Sequence, residues 1–185
     1  MTARTIGVSI PIPEPYGGEL QSWRERFGDP LARQIPTHVT LLPPTVVSTD
    51  ELPTIEEHLR KVAENEEPFE IHLRGTASFR PLSPVVFVTL ANGIGNCERV
   101  QLAVHGGPLR HRELAYGYHP HVTVAHDLPE EALDHAFEKL AAYEARFTVW
   151  GFSLYEHGGD GVWRPQRDFT FGGALPTVPD PAPRT

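Results

Sequence analysis

A single cysteine stands in 185 residues, and that scarcity closes off two chemistries at once. An intrachain disulfide needs two cysteines, and a thiol-rich metal site needs several. Cys97 falls in the helix-like stretch Asn96-Cys97-Glu98-Arg99-Val100, where a buried, inert thiol is expected rather than a nucleophile. Positive charge is also short: 16 Lys and Arg face 24 Asp and Glu, a net charge of -8. No broad field exists to neutralise many phosphates along a helix, which excludes duplex DNA as a partner. A few arginines and hydroxyls in a cleft could still hold one small anion. Long apolar runs are missing too. No stretch nears the ~20 residues of a membrane helix, and the apolar part of the opening MTARTIGVSIPIP is too brief for a signal peptide. The expectation is a cytoplasmic chain without a membrane partner.

What the chain does contain is ordinary for a folded protein: 39% hydrophobic and 22% charged residues. Its length suffices for one core, or for two small lobes that share an interface. Residues 4–10 read as a strand whose exit is forced to be extended by Pro11, Pro13 and Pro15. A short helix follows over about 18–28. Thr37 to Leu42 reads as a strand that ends at Pro43-Pro44. Leu52, Ile55, Leu59 and Val62 then repeat at helical spacing after a cap at Thr49 or Asp50. Phe69-Glu70-Ile71-His72-Leu73 alternates, which turns His72 away from the buried face and into solvent. A second short strand is expected near 77–80. Pro84 to Leu90 is a nearly unbroken apolar run, as in a strand covered on both faces at the centre of a sheet.

From there the order strand, helix, strand, helix recurs: strand 85–90, helix about 94–105, strand 121–125, helix 130–142. Strands at 146–155 and 162–171 close the chain. The similar spacing of the two halves suggests two related lobes. Residues 1–172 are thus expected to form one domain, with 173–185 a mobile tail because proline recurs too often there for a helix or central strand.

The informative pattern is a pair of short motifs, Pro36-Thr37-His38-Val39-Thr40-Leu41 and His119-Pro120-His121-Val122-Thr123-Val124. Among 10 histidines, roughly one His-x-Thr is expected by chance, and about 0.02 once the intervening Val and following aliphatic are required. Two copies at equivalent places in the element order make coincidence a poor account. In a strand, residues two apart share a face, so His38 lies beside Thr40 and His121 beside Thr123 while Val39, Leu41, Val122 and Val124 face the core. Facing lobes would bring two imidazoles and two hydroxyls to one cleft. Opening a cyclic phosphate needs a base for the incoming water and an acid for the departing alkoxide, and histidine serves in both roles near neutral pH. The hydroxyls can donate to the non-bridging oxygens, where charge concentrates. No metal or other cofactor is required by this chemistry, and its pH profile should be a bell with both limbs where histidines titrate.

These motifs resemble those of the two-histidine phosphoesterase superfamily, specifically its 2′-5′ RNA ligase-like branch of RNA 2′,3′-cyclic phosphodiesterases. The likeness extends to Gly75–Val88 (GTASFRPLSPVVFV), to the Tyr118 lead-in of the second motif, and to the closing strands over 147–171. It implies a bilobal α+β fold, two related lobes each with an antiparallel sheet and flanking helices, around a pseudo-twofold cleft. By motif match it implies His38 and His121 as acid and base, and Thr40 and Thr123 as phosphate-binding residues. Its substrate would be a small nucleotide or an RNA end. One position departs from the pattern: His126 stands where many members carry arginine or lysine.

Other readings stay open beside this one. The histidines could be structural, or His119, His121 and His126 could bind a metal, although Pro120 distorts their strand and no carboxylate cluster accompanies them. Arg80 could reach the phosphate, or pack its stem on the surface. Tyr118, Tyr116 and Trp163 could stack on a base or serve in packing. A non-catalytic nucleotide-binding module, and ligation by the reverse reaction, are the alternatives to hydrolysis. The chain is expected to be a monomer.

Overall fold

The computed structural model describes residues 2–173. In chain order the elements are β1 (Ala3–Pro11), α1 (Tyr16–Phe27), β2 (His38–Ser48), α2 (Leu52–Glu64), β3 (Phe69–Ser78), β4 (Val85–Asn92), α3 (Ile94–Val104), β5 (Val122–His126), α4 (Glu130–Lys139), β6 (Glu144–Val149), β7 (Gly151–His157) and β8 (Trp163–Thr170). The strands form two antiparallel four-stranded sheets, one ordered β2-β1-β7-β8 and the other β5-β4-β3-β6. This is the expected bilobal α+β architecture. The strand of each motif takes the edge of its sheet, beside the strand that opens its half of the chain.

The lobes are interlocked. The helix that follows the first strand of each half crosses over: α1 packs on β5 and α4, whereas α3 packs on β2 and α2. One hydrophobic core accordingly runs through both sheets, from Ile6, Val8 and Leu41 to Val86, Val122 and Leu133. The apolar run of β4 lies inside its sheet, and Val85, Val86, Phe87 and Val88 are all buried. Helix α2 buries Ile55, Leu59 and Ala63 and turns Glu57, Arg60 and Glu64 outward as ion pairs. Cys97 is buried, as its sequence context suggests, and burial pushes its thiol up to about 12.

Several local expectations give way to tertiary context. Strand β2 does not stop at Pro43-Pro44 but runs on to Ser48. An edge strand has one side free of ladder bonds, so proline is tolerated there. The prolines coincide with an irregularity in which Val8 pairs with Leu42 but Ile6 with Thr45. The strands expected at 69–73 and 77–80 are one strand, β3. The stretch expected as 146–155 is broken at Trp150 into β6 and β7, which belong to different sheets. The start of α2 is marked not by Thr49 or Asp50 but by Glu51, whose carboxylate accepts the Ser48 N–H at 2.7 Å. His72 is not solvated: it is only 6% exposed and bonds Glu144 at 2.6 Å, because β3 is an interior strand with β6 alongside. The proline-rich tail lies, from residue 174 on, outside the described residues.

Candidate active site

Both motifs are anchored by their apolar residues and present their polar ones. Val39, Leu41, Val122 and Val124 are buried in the core. On the opposite face, His38 and Thr40 stand across from Pro11 and Ser9 of β1, and Thr123 stands across from Phe87 of β4. A single cleft of about 690 Å³ is lined by His38, Thr40, His121 and Thr123 together, so the two sheets bring the four motif residues to one place. Tyr118 links the lobes there: its hydroxyl donates to the backbone carbonyl of Thr40 at 2.9 Å.

The imidazoles are held in the same way in both lobes. His38 Nδ1 lies 2.6 Å from the carbonyl oxygen of Pro36, and His121 Nδ1 lies 2.7 Å from that of His119. A carbonyl only accepts, so in each neutral ring Nδ1 carries the proton and Nε2 keeps its lone pair. In His38 that lone pair receives the Thr40 hydroxyl at 3.1 Å. His121 is walled by Phe79 and Phe87, whose ring centroids lie 4.9 and 5.1 Å from its own.

Burial sets the charge of these rings. It lowers the His38 pKa from 6.5 to about 4, against the raising effect of the Pro36 carbonyl and with help from the nearby charges of Arg24 and His121. Burial is likewise the main cause that lowers His121, opposed by the His119 carbonyl and aided by the His119 ring. Both rings are therefore mostly neutral in the free protein at pH 7.

Behind His38 lies a second layer that the sequence did not announce. Arg24 of α1 and Asp29 form an ion pair with side chains 3% and 0% exposed. Arg24 donates to Asp29 through Nε and Nη2 at 3.1 and 3.0 Å, and through Nη1 to the Ile35 carbonyl at 3.3 Å. Asp29 also accepts the Leu31 N–H at 2.9 Å, and the Thr37 hydroxyl donates to Gln21 of α1 at 2.8 Å. The segment that delivers His38 is thus pinned to α1 at several points. Asp29→Ala should destabilise the fold by about 3–5 kcal/mol, because it strands a buried guanidinium. Replacing both partners by apolar residues, Arg24→Met with Asp29→Leu, should cost far less, and urea denaturation of the two proteins measures the contrast.

The other candidates divide. Tyr118, Tyr116, His126 and Trp163 line the cleft. Arg80 is directed elsewhere: its Nη1 bonds Glu130 at 2.6 Å and Asp134 at 2.8 Å on α4, and its Nε bonds Ser78. The carboxylates of α4, 50 and more residues away in sequence, hold it there, while its neighbour Phe79 faces the cleft. His119 and His121 share a face with centroids 6.3 Å apart, but His121 Nδ1 is committed to the His119 carbonyl. Among the described residues no three His, Cys, Asp or Glu side chains are grouped as a metal site requires. Ser9, Phe79 and Arg24 were not singled out from the sequence. Only Ser9 left a signal, since its parity on β1 puts it on the face opposite Val8 and Ile10.

Comparison with known proteins gives the chain a family and relatives of the same fold. A family model described as the 2′-5′ RNA ligase superfamily matches residues 12–161. A provisionally named phosphoesterase of Bacillus cytotoxicus is 30% identical over 169 residues, covering 90% of this chain and 96% of that protein. One of Halalkalibacterium halodurans, also provisionally named, is 28% identical over 168 residues, with the same coverage of each chain. Among solved structures, Escherichia coli LigT in complex with 3′-AMP superposes with a TM-score of 0.69 at 15% identity, over 92% of this chain and 99% of that one. At that identity the likeness speaks for the fold alone. No helix among the described residues is long and apolar enough to cross a membrane.

Proposed function

The chain belongs to the 2′-5′ RNA ligase superfamily, and from that premise we propose that it hydrolyses 2′,3′-cyclic phosphates of nucleotides or RNA ends, with His38 and His121 as acid and base. One observation carries this reading: two imidazoles, each with Nδ1 tied to a carbonyl two residues back, line one cleft, each with a threonine two residues on. The neutral ring takes a proton from water at Nε2 as the water oxygen bonds to phosphorus. The protonated ring gives its proton to the ribose oxygen as the P–O bond of the ring breaks. Thr40 and Thr123 donate to the non-bridging oxygens, which requires the Thr40 hydroxyl to leave His38 Nε2 when phosphate arrives. A nucleoside monophosphate such as 3′-AMP, the ligand of the Escherichia coli neighbour, is the kind of product this reaction leaves. Both histidines come from one chain, in keeping with a monomer, and the sequence expectation of a cytoplasmic enzyme belongs to the same proposal.

The test is turnover of nucleoside 2′,3′-cyclic phosphates by the purified protein. Conversion to monophosphate is expected, and it should survive chelation because each proposed step uses only side chains. Binding without conversion would leave a nucleotide-binding module instead. Loss on chelation with recovery on adding Zn²⁺ would move the chemistry to the His119, His121 and His126 group. Ligation would use the same groups in reverse, and it is assayed with a cyclic-phosphate RNA end plus a 5′-hydroxyl strand.

A further inference from the structure

Beyond the histidines the cleft continues into a side pocket of about 290 Å³, and Leu31, Ile35, Pro44 and Trp163 line both. The connection follows the open face of β1. Ser9, Gly7 and Thr5 share that face, because alternate residues of a strand point the same way. Ser9 stands opposite Thr40 and lines the catalytic end with Gly7, while Thr5 lines the side pocket. Each two-residue step is ~6.6 Å along the strand.

At the middle step lies Trp163. Its six-membered ring rests on Gly7: a Cβ there would come within 3.2 Å of the indole Cζ3. A methyl group there would push the indole a few tenths of an ångström off the sheet. Across the strand pair, His157 stands opposite Trp163 with ring centroids 5.0 Å apart. Gln34 has its backbone fixed, donating to the Leu31 carbonyl at 2.9 Å and accepting from the Trp163 N–H at 2.8 Å. Gln34 lines the side pocket together with the indole, and its side-chain amide, both donor and acceptor, lies beside Gly161.

We propose that this trough is a nucleobase subsite, in which a base stacks on Trp163 and presents its polar edge to Gln34 while the cyclic phosphate lies between His38 and His121. The proposal rests on the hydrolytic function above and names the part of the substrate that the histidines do not touch. One ~6.6 Å step from Ser9 to Gly7 suits the offset from a ribose phosphate to its base. An aromatic platform recognises any base by its π-face, and an amide adds a preference among edges.

The experiment compares two substrates on the same protein: adenosine 2′,3′-cyclic phosphate and glycerol 1,2-cyclic phosphate, which has the reactive ring but no base. Wild type is expected to favour the nucleotide, and Trp163→Ala to raise its KM by ~10-fold or more while kcat and the glycerol reaction stay near wild type. Gln34→Ala should flatten any preference among the four nucleosides. An independent readout measures binding rather than turnover: 3′-AMP should quench tryptophan fluorescence that inorganic phosphate leaves unchanged, and Trp163→Phe should abolish the response. Equal kcat/KM for the two substrates in wild type, or no quenching by 3′-AMP, overturns the subsite. Failure to turn over either substrate overturns the catalytic reading instead, so the two failures are distinct.

Discussion

His38→Ala and His121→Ala should each lower kcat for a nucleoside 2′,3′-cyclic phosphate by ~10²-fold or more, with little change in melting temperature. The stability expectation follows from the strands: Val39, Leu41, Val122 and Val124 supply the buried surface, and each imidazole contributes one hydrogen bond to a nearby carbonyl. Near-normal turnover in either variant removes that residue from the mechanism. The roles of the two rings can then be separated by the leaving group. A p-nitrophenyl phosphodiester departs as p-nitrophenolate, which needs little protonation, so it should restore activity selectively to the variant that lacks the acid. Equal rescue of both variants would contradict a division of labour between them.

The logarithm of kcat/KM should fall with slope -1, tenfold per pH unit, above a midpoint that lies below 6.5, which amounts to about a hundredfold over two units. The sign follows from burial. Both imidazoles are pushed down in the free protein, His38 to about 4 and His121 in the same direction. The reactive form carries one proton on the pair, and kcat/KM reports the free enzyme, so that form is populated only on the acid side of the ordinary histidine range. Desolvation thus moves the bell expected from the sequence toward acid. The apparent values belong to the coupled pair. In the complex the phosphate charge favours imidazolium, so the corresponding limb of kcat should lie at higher pH than that of kcat/KM. Parallel measurement of the two parameters from about pH 4 to 9 checks this. A flat kcat/KM profile with chemistry rate-limiting would end the two-histidine assignment.

A contrast between His38 and His72 explains how much of the molecule was legible beforehand. For His38 and His121 the alternation of a strand was enough, because Val39, Leu41, Val122 and Val124 had only one face on which to be buried, and that put each histidine beside its threonine on the other. For His72 the same alternation misled, because the pattern shows which side chains are apolar but not whether a neighbouring strand also covers the polar face. Arg80 fails to reach the cleft for a similar reason: Glu130 and Asp134, which hold it, lie 50 and 54 residues further on, beyond any local pattern. The broken stretch around Trp150 reads as one strand because both its parts have strand character, and only the pairing partners decide that they enter different sheets.

The sequence by itself determined most of the order of the elements, the two motif strands and their cleft-facing residues, because these follow from periodicity over a few consecutive residues. Tertiary structure alone decided that α1 and α3 cross to the opposite lobe, that Arg24 and Asp29 lock the segment leading to His38, and that Gly7 lets Trp163 lie against the sheet. It also decided the burial that lowers the pKa of His38 and His121. Desolvation and ion pairing depend on which distant groups crowd the same volume, and that is fixed only when the two sheets close on one core.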